Sequence, residues 1–284
     1  MFDTILFLAA PITACAILAA MLSYFGNHIL TRGIIFIDIA LAQIAALGTM
    51  IGLLLGYREG SMSVELISLI FTLIIISVFA LTKFEKQRIP QEAIIGIIYG
   101  LGLGISMLLA EKIPGGSNYI SKTITGNILW VTWDQIISCA VVFLVIAVIH
   151  VVLRKKFMRI SESRESLPFS LRTLRLYELI FYITFGIVVV RAVTIGGIFL
   201  AFVLLIAPAS IATLFTSSWR NRIFWSWIIS VTGSLAGIYI SYETNISNGP
   251  AIVTLLGLTA YVIVFIKIAV NGVKNRRLER VASE

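Results

Sequence analysis

The stretch IIFIDIALAQIAALGTMIGLLL, from Ile34 to Leu55, holds a single charged residue, Asp38, and a single amide, Gln43. A helix rises about 1.5 Å per residue, so a run of this length crosses the roughly 30 Å hydrocarbon core of a bilayer. Runs of the same character recur along nearly the whole chain. Of its 284 residues 59% are hydrophobic and 13% charged, with a mean hydropathy of +1.01. A soluble domain carries about a quarter charged residues, so these values exclude a water-soluble globule. No segment is long enough for a separate soluble domain. The chain reads as one transmembrane domain over residues 1–284, an all-α polytopic bundle.

Outward from that stretch, spans are expected near Thr4 to Phe25, Ile34 to Leu55, Met62 to Thr82, Gln91 to Ala110, Asp134 to Leu153, Leu174 to Val190, Val193 to Thr216, Arg222 to Ser241 and Pro250 to Val270. That makes nine, or eight if the stretch around Arg191 is one broken or re-entrant helix, which membrane depth tolerates only under protein or water cover. Of the 22 lysines and arginines, all but Arg58, Lys112, Lys122 and Arg191 then fall in segments on one side. Positive loops are retained in the cytoplasm. The expected protein is therefore a multi-pass component of the cell (inner) membrane, surrounded by lipid, with its N-terminus outside and its C-terminus cytoplasmic.

The net charge of +8 does not indicate nucleic acid, because the basic residues lie between apolar runs and not on one folded face with stacking aromatics. Cys15 and Cys139 lie inside apolar runs without CxxC spacing and read as packing residues. The longest outer loop, Glu111 to Trp133, opens with turn chemistry at Pro114, Gly115 and Gly116 and continues as a short amphipathic piece. Its Trp130 and Trp133 suit the membrane interface. Glycines at 96, 100 and 104, and at 48, 52 and 56, form stripes that let a neighbouring helix approach closely.

A carboxylate within a span is costly unless it faces a polar interior, so Asp38 is the candidate metal ligand and pathway residue. Gln43 lies about 140° round the helix from it at 100° per residue. Thr49 shares the Asp38 face and Met50 the Gln43 face, and all four are candidate pathway residues. His28 and His150 fall at inner span ends without HxxxH or HExxH spacing and read as interfacial residues. No GxxxxGK[ST] phosphate loop, G-x-S-x-G elbow or zinc-protease helix occurs. If ATP drives this protein, a partner subunit binds it.

Four stretches then carry a resemblance: ALAQIAALG (40–48), EAIIGIIYGLGLGISMLL (92–109), ITGNILWVTWDQI (124–136) and VRAVTIGGIFLAFVLLIAPASIATLF (190–215). The chain resembles the metal-ion ABC transporter permeases, the membrane subunits of bacterial zinc, manganese and iron importers. The resemblance implies transport of a divalent metal ion by alternating access, as a dimer of permeases, on two ATP-binding cassette subunits, fed by an extracytoplasmic metal-binding protein. In that family an aspartate and a histidine four residues apart on the second span are implicated in holding the ion. Here those positions are Ile39 and Gln43, so Asp38 is displaced by one and the nitrogen ligand is absent, replaced by an amide that offers only its carbonyl oxygen. The resemblance also implies that Thr216, Ser217, Ser218, Trp219, Arg220, Asn221 and Arg222 carry the coupling contact with the ATPase, with Pro208 bending the helix before them. The rival reading is an ATP-independent carrier or channel that uses Asp38 as its ion site.

Overall fold

The computed structural model describes residues 2–82, 89–126, 128–162 and 171–283. Among these residues there are nine α-helices and no strand: α1 (Phe2–Arg32), α2 (Ile37–Leu54), α3 (Met62–Thr82), α4 (Gln91–Ala110), α5 (Gly116–Thr125), α6 (Trp133–Glu162), α7 (Leu171–Phe215), α8 (Trp219–Thr244) and α9 (Asn248–Ser283). A single 3-10 turn, Ile128–Trp130, follows α5. In lipid every backbone N–H and C=O must find its partner inside the chain, and helices achieve this locally. All but α5 are long and apolar enough to cross a membrane.

The apolar span of α7 is 44 residues long, roughly twice what a bilayer needs. Its neighbours on α1 show why. Its first limb, 171–196, pairs Glu178 with Arg32, sets Phe181 and Phe185 against Phe25, and brings Gly196 up to Leu18. The second limb, 198–215, runs back down α1, with the Leu205 carbonyl and Ala209 against Gly26. Trp219, just beyond it, packs on His28. The chain therefore reverses inside α7, which supplies two antiparallel limbs.

The reversal is at Gly197, not at Arg191 where the sequence suggested it. Gly197 has φ 81° and ψ 168°, a left-handed conformation that favours glycine. A Cβ there would lie 2.3 Å from the Gly126 nitrogen. Gly126 and Gly249 close the same spot, with Cβ positions 2.0 Å from the Gly196 oxygen and 2.5 Å from the Thr125 oxygen. This glycine end of the bundle is opposite the basic end, where Arg32 and the last turn of α6 lie.

The expected spans 62–82 and 91–110 coincide with α3 and α4. Helices α1, α6, α8 and α9 extend well past theirs. α7 continues through Pro208 to Phe215, and its one non-helical residue is Gly197, so the proline does not break the helix. Lys83, Lys86, Arg88 and Arg164 lie outside the described residues. Helices α1, α2 and α7 form the centre, whereas α4 and α9 are mostly exposed. Outward-facing Ile97, Leu101, Leu258 and Val262 suit acyl chains. The stripe Gly96, Gly100 and Gly104 also faces outward, with open space above each, and Gly102 is the α4 glycine that meets α2. The α2 stripe is used internally in part: Gly48 and Gly52 lie against Ser68 and Val64, while Gly56 is free.

Candidate transport pathway and coupling segment

α2 separates two spaces. One face, through Ala45, Ala46 and Thr49, borders a cavity of about 560 Å³ at the glycine end. Its other walls come from α3 (Glu65, Ser68), α5 (Tyr119, Lys122), the start of α6 (Gln135) and the first limb of α7 (Arg191, Thr194). An adjoining face puts Gln43 and Met50 into a narrow crevice against Leu103, Ser106 and Ile124, with Ala46 bordering both spaces. The helical wheel set Asp38 and Thr49 on one face and Gln43 and Met50 on another. Thr49 borders the cavity, while Gln43 and Met50 do not.

Asp38 occupies neither space. It lies in the first turn of α2, 3% exposed, with the backbone N–H groups of Asp38 and Ile39 beside its carboxyl group and Oδ1 without a hydrogen-bond partner. A short connection with Gly33 at φ 65° places it one turn into the bundle from Arg32. The structure therefore does not bring the four pathway candidates to one site. Among the described residues no group of three His, Cys, Asp or Glu side chains comes together.

The cavity rim carries two ion pairs. Lys122 Nζ and Glu59 Oε1 are 3.0 Å apart, and Arg191 and Glu65 are 3.7 Å apart. Such exposed pairs contribute little stability, but they leave carboxylate oxygens along the wall. Tyr119 of α5 is held against Thr49 and Thr123 by hydrogen bonds, and burial raises its hydroxyl pKa above the usual tyrosine value.

The connection after α7 is short. Residues 216–218 are non-helical, the Ser218 N–H donates to Thr216 Oγ1 at 3.3 Å, and Arg222 Nη2 donates to the Ser217 carbonyl at 3.4 Å. Ser217, Ser218, Arg220 and Asn221 are exposed, whereas Trp219 turns inward and is 7% exposed.

Beneath Trp219 lies a polar cluster that the sequence reading missed. His28 and His150 are both buried and lie within the bundle. His28 Nδ1 and Arg32 Nε share the Ser161 hydroxyl at 2.8 and 3.0 Å, and Arg32 Nη1 meets Glu178 Oε2 at 2.6 Å. His150 bonds Tyr24 and Thr184. Glu178 is thus a second buried carboxylate beside Asp38. Its only sequence signal was its position within an expected span. Cys15 and Cys139 are free and buried, as packing residues would be.

A multi-pass helical bundle with a cavity of mixed apolar and polar lining at one end and a basic rim at the other has the build of a membrane transport permease. The chain belongs to the ABC 3 transport family, which matches residues 4–268. It is 23% identical to a "Probable metal transport system membrane protein" of Chlamydia muridarum, over 87% of this chain and 84% of that one. It is 26% identical to the "Manganese transport system membrane protein MntB" of Synechocystis, over 64% and 59% of the two chains. Its fold matches a chain of PsaBC from Streptococcus pneumoniae with a TM-score of 0.76, at 19% identity and covering 92% and 93% of the chains.

Proposed function

We propose that this chain is the membrane-spanning subunit of an ATP-binding cassette importer for a divalent metal ion. It works with a separate ATP-binding subunit, an extracytoplasmic metal-binding protein and a second permease copy. The observation that carries this reading is the cavity at the glycine end, bordered by Ala45, Ala46 and Thr49 of the segment that carries the family motif. In this reading the glycine end faces out and the basic end faces the cytosol, as the placement of lysine and arginine supports. Cargo enters at the Glu59 and Glu65 rim, passes Thr49 and descends along α2 towards Asp38. Residues 216–222 take up the stroke of the ATPase.

The cavity wall offers hydroxyl, amide and carboxylate oxygens and no histidine or cysteine. Such hard donors suit manganese(II) better than zinc, which prefers nitrogen and sulfur. Manganese is also the metal named for the Synechocystis relative.

The test is reconstitution of the permease with its ATPase and binding protein in liposomes, with uptake of Mn²⁺, Fe²⁺ and Zn²⁺ measured with and without ATP. ATP-dependent uptake with Mn²⁺ preferred is expected. Uptake by the permease alone, abolished when the ion gradient is dissipated, would favour the ATP-independent carrier. Asp38→Asn is expected to impair uptake and Gln43→His to raise the share of Zn²⁺.

A further inference from the structure

We infer that Trp219, Glu162 and His28 couple the 216–222 segment, through the buried Arg32–Glu178 pair and the short α1–α2 connection, to the helix that borders the cavity. This rests on the reading of 216–222 as the site where the ATPase acts. Trp219 is the member of that segment whose side chain is buried. Its indole N–H donates to Glu162 at the end of α6, and its ring lies 4.7 Å from that of His28 on α1. Displacing the start of α8 therefore pulls on two other helices at once.

From His28 the contacts continue without a gap. His28 and Arg32 share Ser161, Arg32 is paired to Glu178, and the guanidinium carbon lies 3.7 Å over the Phe181 ring. The side chains of Arg32 and Glu178 are 2% and 1% exposed. Charges this deep cannot part without leaving one of them unpaired, so the pair moves as a unit. One atom is not settled by this arrangement: His28 Nε2 is buried without a hydrogen-bond partner. An orphaned buried nitrogen favours any second arrangement that supplies it with one.

The link to α2 is short. Gly33 turns back onto Leu30, Ile34 onto Ile29 and Ile37 onto Ile34, so only residues 33–36 separate Arg32 from the first residue of α2. Movement of the α1 end therefore reaches α2 with little slack. α2 carries it roughly 18 Å along its axis to Thr49.

The experiment uses the complete complex in proteoliposomes, with Mn²⁺ uptake and phosphate release measured in the same vesicles. Trp219→Phe keeps a ring over His28 but removes the N–H donated to Glu162. Its Mn²⁺ moved per ATP is expected to fall about tenfold while hydrolysis stays within about twofold. Glu162→Ala is expected to do the same, with no further loss in the double variant, and Glu162→Gln to restore the ratio because its amide oxygen still accepts. If Trp219→Phe fails to assemble, the Glu162 pair gives the same test from the exposed side. An unaltered ratio, or a loss of uptake and hydrolysis in parallel, overturns the inference. No ATP-driven uptake of Mn²⁺, Fe²⁺ or Zn²⁺ by the wild-type complex refutes the importer reading instead.

Discussion

At the glycine end, α5, α7 and α9 meet through Gly126, Gly196, Gly197 and Gly249, main chain against main chain. At the basic end, α1, α6, α7 and α8 meet through Arg32, Ser161, Glu178 and Trp219, joined by buried charge and hydrogen bonds. The first contact is steric and tolerates no added atom, and the ion pairs near it, Lys122 with Glu59 and Arg191 with Glu65, are exposed. The second depends on its charged and hydrogen-bonded partners staying together. Parting the first end separates only solvent-exposed charges, whereas parting the second would separate buried ones.

The largest expected effect is at the turn. Gly197→Val puts a branched side chain at φ 81°, where even a Cβ meets the Gly126 nitrogen, and the monodisperse protein recovered by size exclusion should fall to background. Next is the charge pair. Glu178→Ala leaves the Arg32 charge buried without its carboxylate and should cost about 3–5 kcal/mol in denaturant unfolding in detergent. Arg32→Met with Glu178→Leu should recover more than half of that. An unchanged unfolding free energy in Glu178→Ala would mean that charge does not hold the basic end.

Glycines within helices sharpen the steric side of the comparison. Gly48→Ala, whose Cβ would lie 2.7 Å from the Ser68 Cα, should cost about 1–3 kcal/mol, because the tightly packed α2–α3 contact has to shift. Gly100→Ala, with nothing within 4 Å, should be neutral or slightly stabilising. The smallest effect is expected at the rim. Lys122→Ala removes a half-exposed pair with Glu59 and should change the unfolding free energy by about 0.2–1 kcal/mol, less in high salt.

Much of the bundle was legible because span bounds depend on local composition. α3 and α4 begin and end where polar residues interrupt apolar runs, and both match residue for residue. The outer loop folded as its turn residues indicated, with Gly115 at φ 77° before α5. The α7 turn was misplaced because Arg191 supplied a charge to break at, whereas the chain breaks at two glycines whose role depends on Gly126 and Gly249 far away in sequence. The polar cluster was illegible for the same reason. His28 and Ser161, or Arg32 and Glu178, lie more than a hundred residues apart, and one-dimensional hydropathy cannot show that two costly side chains cancel each other. The separation of Thr49 from Gln43 depended only on helical angle and was readable.

The two limbs of α7 are unequal. The first overshoots the second by roughly eight residues, about 12 Å of helix, and α9 continues to Ser283 beyond Lys267, which lies over the Phe215 ring. Residues 216–218 therefore lie on the floor of a step and not on its crest. A flat surface brought up to this side would land on the helix ends first. Reaching the loop takes a projecting knob, and the depth of the step sets how far that knob must stand out.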